Sequence, residues 1–342
     1  MTRRLVVRDG RVRLSVVTFS GRAVVAASLG GPEVLRVVAR QIPAPGPGEV
    51  VVEVAAAGVN PWDWKSYAPG SGARPPVPLG LEVAGVVRAV GSGVRWFSPG
   101  DEVVAWPVRG GYADLVTVRQ EVLVRRPASL AVTAAAGLLS AGAAALHAVV
   151  ATEVDADEVV LVHGASGGVG RMAVQLAVLR GAHVVATASP AWHSCLARLG
   201  AVPVAHGPGL RERVEAAAAG LGKVVAAIDA VGTPEALDVS VGLVPDRRRV
   251  ATLVALDRAP GLGVRALGHG PGAEPGTDVR EAARSQLTAL AADGTLDVLV
   301  TGAYGLEDAA RAHERSRAGH AGGKLVLVTD AAQATGDHEP VH

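Results

Sequence analysis

The chain has 342 residues, of which 49% are hydrophobic and 19% are charged, and its formal net charge is +1. This length and apolar content suffice for two hydrophobic cores, whereas a near-neutral charge gives no basic surface for nucleic acid or an anionic membrane. The single cysteine, Cys195, excludes an internal disulfide framework and a multi-cysteine zinc site. We therefore expect two domains and, from the cysteine content, a cytoplasmic protein. No apolar stretch is long enough to span a membrane.

The first third of the chain has the pattern of short strands. Residues 1–22 are interpreted as an N-terminal extension, and residues 23–132 as a compact, barrel-like β domain. Glycine and proline turns separate its predicted strands. These strands are Val34–Ala39, Glu49–Ala57, Val83–Val90, Asp101–Trp106 and Tyr112–Val118.

From residue 133 to residue 277 strands alternate with helices, which predicts a doubly wound parallel sheet and places the chain in the α/β class. The predicted strands include Val159–Val162, His183–Thr187, Val224–Asp229 and Arg249–Ala255. The stretch from Ala259 to Gly276 is rich in glycine and proline and is predicted to lack a fixed conformation. Residues 278–330 are expected to return to the first domain, and residues 331–342 to form a mobile tail.

A glycine-rich turn joins the first predicted strand of this sheet to a helix. It reads HGASGGVGRMA from His163 to Ala173 and leads, through a helix, into a second strand. Glycines let backbone amides approach a pyrophosphate, and the helix N-terminus favours its negative charge. The pattern predicts a dinucleotide site, against the alternative of a glycine turn without a ligand. Its residues are Ala165, Ser166, Gly167, Gly168, Val169 and Gly170.

The second strand is followed by no carboxylate that could accept a bond from a ribose 2′-hydroxyl, as an NAD site usually requires. No acidic residue occurs between Glu158 and Glu212. Ser189 and His193 lie beyond the strand end and could contact a 2′-phosphate, with Arg198 as a further cation. We therefore expect NADPH, the alternative being that His193 and Arg198 are ordinary surface groups.

An ordered set of motifs resembles the medium-chain dehydrogenase/reductase superfamily, and within it the zinc-independent, zeta-crystallin-like quinone oxidoreductases. The motifs run through residues 23–329 and include PAPGPGEVVVEV (43–54), AGVNPWDWK (57–65), PLGLEVAGVV (78–87), GGYADLVTV (110–118), GASGGVG (164–170), LEDAARAH (306–313) and GGKLVLV (322–328). The resemblance implies a GroES-like catalytic domain, a Rossmann domain that binds NADPH, a small-molecule substrate and a homodimer. It also implies that Asp229, Val231 and Gly232 line the cofactor.

Zinc-bearing relatives hold their metal with Cys and His, which suit a tetrahedral zinc ion. The matching positions here are Asn60 and Leu81, so the resemblance implies that no catalytic zinc is bound. Glu82 is retained beside them, and a lone carboxylate there is more often structural. Lys324 matches the family as well, although the sequence supports no role for it beyond packing.

The resemblance places the candidate catalytic residues in the segment NPWDWKSY. Asn60 corresponds to a residue near the nicotinamide ribose and the substrate. Lys65 occupies a position where several quinone reductases carry Tyr, and it is either a hydrogen-bond donor or acid or a solvated surface lysine. Tyr67 is a second candidate acid. Asp63 either orients Lys65 or caps the short helix expected here.

Without a Lewis acid, hydride delivery to a conjugated acceptor is the favoured reaction, because it needs mainly orientation and a donor for the developing oxyanion. The expected function is an NADPH-dependent reductase of quinones or α,β-unsaturated carbonyl compounds. One alternative is a tailoring enzyme of secondary metabolism with another acceptor. The other is a redox-inert NADPH-binding protein, because Ala144 replaces a threonine common in relatives.

Overall fold

The computed structural model describes residues 3–8, 11–16, 18–319 and 321–334. Strands dominate the chain as far as the second helix. The strands are β1 (Arg3–Arg8), β2 (Arg11–Val16), β3 (Thr18–Ala26), β4 (Leu35–Pro43), β5 (Glu49–Val59), β6 (Val77–Pro78), β7 (Val83–Val90), β8 (Glu102–Ala105), β9 (Leu115–Arg119) and β10 (Leu123–Arg125). The helices are α1 (Pro61–Lys65) and α2 (Val132–Ala135).

Helices and strands then alternate over the middle of the chain. The helices are α3 (Leu139–Ala151), α4 (Gly168–Leu179), α5 (His193–Arg198), α6 (Leu210–Ala218), α7 (Pro234–Leu243), α8 (Ala259–Leu262) and α9 (Thr277–Ala292). The strands are β11 (Val159–His163), β12 (His183–Thr187), β13 (Ala201–Val204), β14 (Val224–Asp229), β15 (Val250–Thr252) and β16 (Arg265–Ala266). The chain continues with β17 (Val300–Gly305), α10 (Ala309–Arg317), β18 (Lys324–Val328) and α11 (Asp330–Ala334).

The chain divides into two compact units. The β-rich unit contains residues up to Ser140 and from Val300 onward, and the parallel-sheet unit contains Ala141–Leu299. The β-rich unit holds a sheet with the strand order β10-β8-β7-β5-β18-β17, with β9 also paired to β5, and a smaller sheet with the order β4-β3-β6. Its core is lined mainly by valines and alanines that alternate along β5, β7 and β8 and face inward. This is the β-rich domain predicted from the sequence.

The parallel-sheet unit contains one six-stranded sheet with the order β13-β12-β11-β14-β15-β16. All neighbours in it are parallel. This is the doubly wound arrangement in which the strand order reverses between β11 and β14. Because the carboxyl ends of parallel strands lie at one edge of the sheet, the turns after His163 and Asp229 are neighbours, and these two residues are paired in the sheet. The predicted α/β class and Rossmann-like topology are confirmed.

Several predicted boundaries differ from the structure. The N-terminal extension is shorter than 22 residues, because β3 begins at Thr18 and pairs with β4 along its whole length. In the middle of this strand, Arg22 forms ion pairs with the carboxylates of Asp114, Glu307 and Asp330. The prediction of an N-terminal extension was based on composition alone. Composition does not show that Thr18–Ala26 pairs with β4, a strand that comes later in the chain.

The last helix before residue 300 was predicted to return to the first domain, but it belongs to the parallel-sheet unit. The side chain of Leu287 in α9 lies against Gly142 of α3, where an added Cβ would come within 2.7 Å of it. The segment that returns to the β-rich unit therefore begins at Val300 and not at residue 278. The predicted mobile tail contains the end of α11, and its residues from 335 onward lie outside the described part of the chain.

The stretch from Ala259 to Gly276 has a definite structure, contrary to the prediction. It contains α8 and β16 and then returns along the outer side of β16. There the Glu274 amide donates to the Ala266 carbonyl at 2.8 Å, and the Gly268 amide donates to the Glu274 carbonyl at 2.9 Å. Arg265 and Glu274 also form an ion pair. The glycines and prolines of this segment suggested that it has no fixed conformation. Its conformation is instead fixed by hydrogen bonds to the edge strand β16, which the local composition does not reveal.

Candidate functional site

The candidate catalytic segment surrounds α1 in the β-rich unit. Asn60 precedes the helix, and its backbone amide donates to the Asp63 carboxylate at 2.8 Å. Asp63 therefore caps the helix and does not orient Lys65, which decides between the two roles predicted for it. Lys65 ends the helix, is exposed, and its ammonium nitrogen lies 5.5 Å from the centre of the Trp64 ring.

The Asn60 side chain belongs to a buried ionic group that we call the Lys324 cluster, consisting of Asn60, Glu82 and Lys324. Lys324 Nζ donates to Asn60 Oδ1 at 2.7 Å and to Glu82 Oε1 at 2.9 Å. Asn60 Nδ2 donates to Glu82 Oε1 at 3.0 Å and to the Gly58 carbonyl at 3.4 Å. Both amide hydrogens of Asn60 thus have partners inside the protein. The remaining hydrogen-bonding capacity of this side chain is as an acceptor, through Oδ1.

Tyr67 lies at one end of a buried chain of hydrogen bonds. Tyr112 Oη donates to the Asp63 carboxylate at 2.9 Å, and because a phenol has one proton, it accepts from His313 Nε2 at 3.2 Å. His313 Nδ1 is then the acceptor for the Tyr67 hydroxyl at 2.8 Å. Burial raises the pKa of Tyr67, whose side chain is 1% exposed. These contacts give Tyr67 the role of a buried donor to His313.

Two groups in this chain have altered acidity. Burial raises the pKa of the Asp63 carboxyl to about 6, although three hydrogen bonds and the Lys324 charge favour its ionised form. Burial also lowers the pKa of His313 to about 4, and the Arg317 charge acts in the same direction. This arrangement was not predicted from the sequence, although Tyr112 and His313 both lie in motifs that carry the resemblance.

In the parallel-sheet unit, the predicted glycine turn lies between β11 and α4. Gly164 has a positive φ of 69° and suits the turn, while a Cβ on Gly170 would come within 2.2 Å of the Gly164 carbonyl oxygen. Only glycine fits at residue 170 because of this close approach. The helix begins after Gly167, so the first amides of α4, at Gly168, Val169 and Gly170, have no partner within the helix.

The glycine turn fits the pyrophosphate of a dinucleotide. A Cβ on Gly167 would meet one atom within 4 Å, the Gly164 carbonyl oxygen at 3.4 Å, so its face is open to a close ligand. Ala165 is buried and anchors the turn, since its amide donates to the Thr187 carbonyl at 3.0 Å, whereas Ser166 is partly exposed. Unpaired amides at the N-terminus of a twelve-residue helix are a favourable environment for an anion.

A buried histidine holds this turn in place. Ser240 Oγ donates to the Ala236 carbonyl, so it accepts from His163 Nε2 at 3.1 Å. His163 Nδ1 then accepts from Thr187 Oγ1 at 3.1 Å, and Thr187 Oγ1 accepts from the Gly164 amide at 3.3 Å. The neutral imidazole is required because both ring nitrogens are used in opposite senses. Burial lowers the pKa of His163 to about 4.

The other predicted cofactor residues lie at the carboxyl edge of the same sheet. Ser189 and His193 follow β12, both are partly exposed, and His193 Nε2 donates to the Ala188 carbonyl at 3.2 Å. The Asp229 carboxylate is completely buried and accepts from the amides of Val231 and Gly232 at 3.0 and 2.8 Å.

The Asp229 carboxylate also accepts from Thr252 Oγ1 at 2.7 Å. Its bonds are therefore internal, and this carboxylate shapes the loop after β14. The sequence predicted contacts with the cofactor here, and the structure adds that the two loop amides are paired with Asp229.

The described residues of the β-rich unit do not offer a set of ligands for a zinc ion. The positions that match the family's metal ligands hold Asn60 and Leu81, and the nearby Glu82 is occupied by the Lys324 ammonium group. Within the described residues, no three His, Cys, Asp or Glu side chains come together as a metal site. The donor set at this position does not fit zinc.

Two family models match the chain. An alcohol dehydrogenase GroES-like domain matches residues 46–154, and a zinc-binding dehydrogenase domain matches residues 199–327. The chain belongs to the medium-chain dehydrogenase/reductase superfamily. Among the described residues, no helix has the length and hydrophobicity that a membrane span requires.

The chain is similar to several quinone oxidoreductases. It is 38% identical to that of Sus scrofa over 167 residues, which are 46% of this chain and 50% of the relative. The matches thus span about half the length of the curated relatives. The solved quinone oxidoreductase from Coxiella burnetii superimposes with a TM-score of 0.77 at 28% identity, over 91% of this chain and 99% of the other. A mycobacterial protein, Rv1454c, solved in complex with NADPH gives the same TM-score at 28% identity, over 90% and 99% of the two chains.

We predict that the parallel-sheet unit loses stability in acid through His163. A histidine whose pKa falls from 6.5 to about 4 on folding contributes stability that is complete above pH 6.5 and is lost as the pH falls toward 4. Between pH 7 and 4.5 this loss is on the order of 2 kcal/mol. In His163→Gln the decline in the free energy of unfolding, measured with urea at both pH values, should be smaller by that amount.

The control is His183→Gln, which removes an exposed histidine at the start of β12. It should keep the acid dependence of the wild type. Equal declines in His163→Gln and the wild type would contradict the assignment of a neutral, buried His163.

Proposed function

We propose that the protein is a zinc-independent, NADPH-dependent reductase of quinones or α,β-unsaturated carbonyl compounds. The observation that carries the proposal is that a glycine turn suited to a dinucleotide occurs together with a β-rich unit whose zinc-ligand positions hold Asn60 and Leu81, and whose nearby Glu82 is paired with Lys324. The similarity to quinone oxidoreductases supports the same reaction class. When bound, the cofactor supplies a hydride; the protein binds it, orients it and stabilises negative charge that develops on the acceptor oxygen.

The residues proposed to bind the cofactor are those of the turn and of the strand ends that follow it. Gly168, Val169 and Gly170 offer amides to the pyrophosphate, and Ser189 with His193 offers polar groups to a 2′-phosphate. The absence of an acidic residue after β12 favours NADPH over NADH. The NADPH complex of the mycobacterial neighbour supports the same choice.

Lys65 is the proposed donor to the acceptor oxygen. Among the three predicted catalytic residues, Asn60 has both amide hydrogens paired and Tyr67 is buried, whereas the Lys65 ammonium group is exposed. An ammonium group can hydrogen-bond or protonate a developing oxyanion. Asn60 keeps a proposed role as an acceptor near the substrate or the ribose.

The homodimer also remains a proposal. One possible dimer would pair two chains through β16, the edge strand of the parallel sheet, but the backbone of Glu274 already bonds to the outer side of this strand. An edge already covered is a poor template for a second chain, so a dimer through β16 requires Glu274 to move. Sedimentation equilibrium measures the state of association directly.

The reaction is tested by following NADPH absorbance with a panel of quinones and enones. We expect oxidation of NADPH with at least one acceptor class and no zinc requirement. Tight NADPH binding without turnover on any acceptor would instead indicate the redox-inert binding protein, and turnover that depends on added zinc would contradict the proposal.

Lys65→Met should reduce kcat by roughly 10- to 100-fold, because it removes the proposed donor while keeping the apolar stem of the side chain. The matched control is Lys223→Met, which changes an exposed lysine in the parallel-sheet unit and should leave kcat unchanged. Steady-state kinetics on the best acceptor measures the effect. Equal kcat values for the two variants would make Lys65 a surface lysine.

His193→Gln should weaken NADPH binding by roughly 10- to 150-fold, with little effect on NADH, because loss of a hydrogen bond to a charged phosphate costs about 1.5–3 kcal/mol. Dissociation constants for both cofactors can be measured by fluorescence titration. His183→Gln should change neither. If the wild type binds NADH as tightly as NADPH, the proposed 2′-phosphate site is wrong.

A further inference from the structure

Beside the positions that match the family's zinc ligands, the buried Glu82 and Asn60 both bond to the side chain of Lys324. We propose that the Lys324 ammonium group is the permanent cation of the Lys324 cluster, and that this cluster is a primary-ammonium site and not a metal site. The proposal goes beyond the reductase activity and does not depend on it.

The contacts of Lys324 match the three hydrogens of an ammonium ion. Nζ donates to Asn60 Oδ1 at 2.7 Å, to Glu82 Oε1 at 2.9 Å and, more weakly, to the Val59 carbonyl at 3.4 Å. The Lys324 side chain is 5% exposed and that of Glu82 is fully buried. The three N–H groups of this ammonium ion therefore have acceptors inside the protein, and the buried carboxylate has a partner of opposite charge.

The second oxygen of Glu82 is also bonded. Glu82 Oε2 accepts from the Ser140 amide at 2.8 Å, in the first turn of α3. The cluster therefore joins four segments of the β-rich unit: the end of β5, the start of β7, the start of α3 and the start of β18. The Lys324 ammonium group links these four segments through its hydrogen bonds to Glu82 and Asn60.

Two glycines make room for this ion pair. A Cβ on Gly58 would lie 2.3 Å from Glu82 Oε1 and 2.2 Å from the Ala136 carbonyl oxygen. A Cβ on Gly137 would lie 3.2 to 3.3 Å from three carbons of the Lys324 side chain. The backbone at Gly58 and Gly137 thus lies close against the carboxylate and the lysine stem.

A zinc ion would have poor ligands at the same place. Leu81 offers a hydrocarbon side chain, Asn60 offers a neutral amide oxygen, and Glu82 is the one carboxylate in the cluster. Zinc in proteins takes four ligands, usually thiolates, imidazoles or carboxylates. Replacing the ammonium ion by a divalent ion would also require Lys324 to leave its buried position.

The experiment removes the Lys324 side chain and adds a soluble alkylammonium ion in its place. Lys324→Ala leaves the buried Glu82 without a partner and should lower the melting temperature by roughly 5–15 °C. Propylammonium, which replaces the missing stem and charge, should restore at least half of that shift. Tetramethylammonium, which has no N–H, and 1-propanol, which has no charge, should restore none of it.

The matched control is Lys223→Ala, whose melting temperature should not respond to any of these compounds. Rescue of Lys324→Ala by 1-propanol as effective as rescue by propylammonium would overturn the proposal, since filling space would then explain the effect. Absence of any rescue in a folded Lys324→Ala protein would overturn it as well.

A second pair of variants keeps the test decisive if Lys324→Ala does not fold. Lys324→Met retains the stem and leaves Glu82 unpaired, whereas Lys324→Met combined with Glu82→Gln removes both charges. The double variant should be more stable than the single one, since no unpaired charge remains. Equal or lower stability of the double variant would overturn the proposed ion pair.

Zinc content provides a readout on the unaltered protein. Wild-type protein incubated with zinc and then dialysed should hold far less than one zinc ion per chain by plasma mass spectrometry, and Glu82→Gln should hold the same amount. Stoichiometric zinc in the wild type that disappears in Glu82→Gln would place a metal ion at Glu82 and overturn the proposal. Because neither zinc content nor melting requires NADPH turnover, a failed reductase assay would leave this test intact.

Discussion

A buried carboxylate must have a partner, and the β-rich unit is arranged around that requirement at Glu82. The desolvated charge is opposed by Lys324 from β18, which is distant in sequence. Asn60 accepts from the same ammonium group, and its own backbone amide is bonded to Asp63. The start of α1 therefore has its conformation fixed by a residue near the end of the chain.

The second buried carboxylate, Asp63, extends this arrangement. It accepts from the Tyr112 hydroxyl, which leads through His313 to Tyr67. The direction of each bond follows from the single proton on each phenol and on the neutral imidazole. Such a chain is satisfied only as a whole, because the loss of one member leaves a buried polar group unpaired.

The parallel-sheet unit depends on a different constraint, the close approach of backbone atoms at the glycine turn. The backbone around Gly170 leaves room for a hydrogen atom but not for a Cβ. The first residue of the turn, Gly164, donates its amide to the Thr187 hydroxyl, which is itself bonded to His163. The polar side chains near this edge divide into two groups. Asp229 and His163 shape the loops through buried hydrogen bonds. Ser189 and His193 are partly exposed, although His193 also donates to the Ala188 carbonyl, and their exposure supports their proposed role in cofactor specificity.

The sequence by itself determined the class of fold, the strands Val83–Val90, His183–Thr187 and Val224–Asp229 with their observed bounds, and the place of the glycine turn. These features depend on periodicity and on turn residues, which are local. Only the tertiary structure decided that Thr18 begins a strand, that α9 belongs to the parallel-sheet unit and that the Ala259–Gly276 stretch is ordered.

For the same reason the sequence could name Asn60, Lys65 and Tyr67 as candidates but not their surroundings, whereas the structure separated one exposed cation from two buried, bonded groups. Lys324 appeared to be a packing residue because its partners lie more than 200 positions away. Hydrogen bonds and charge pairs between distant segments form only when the chain is folded, and no local pattern encodes them.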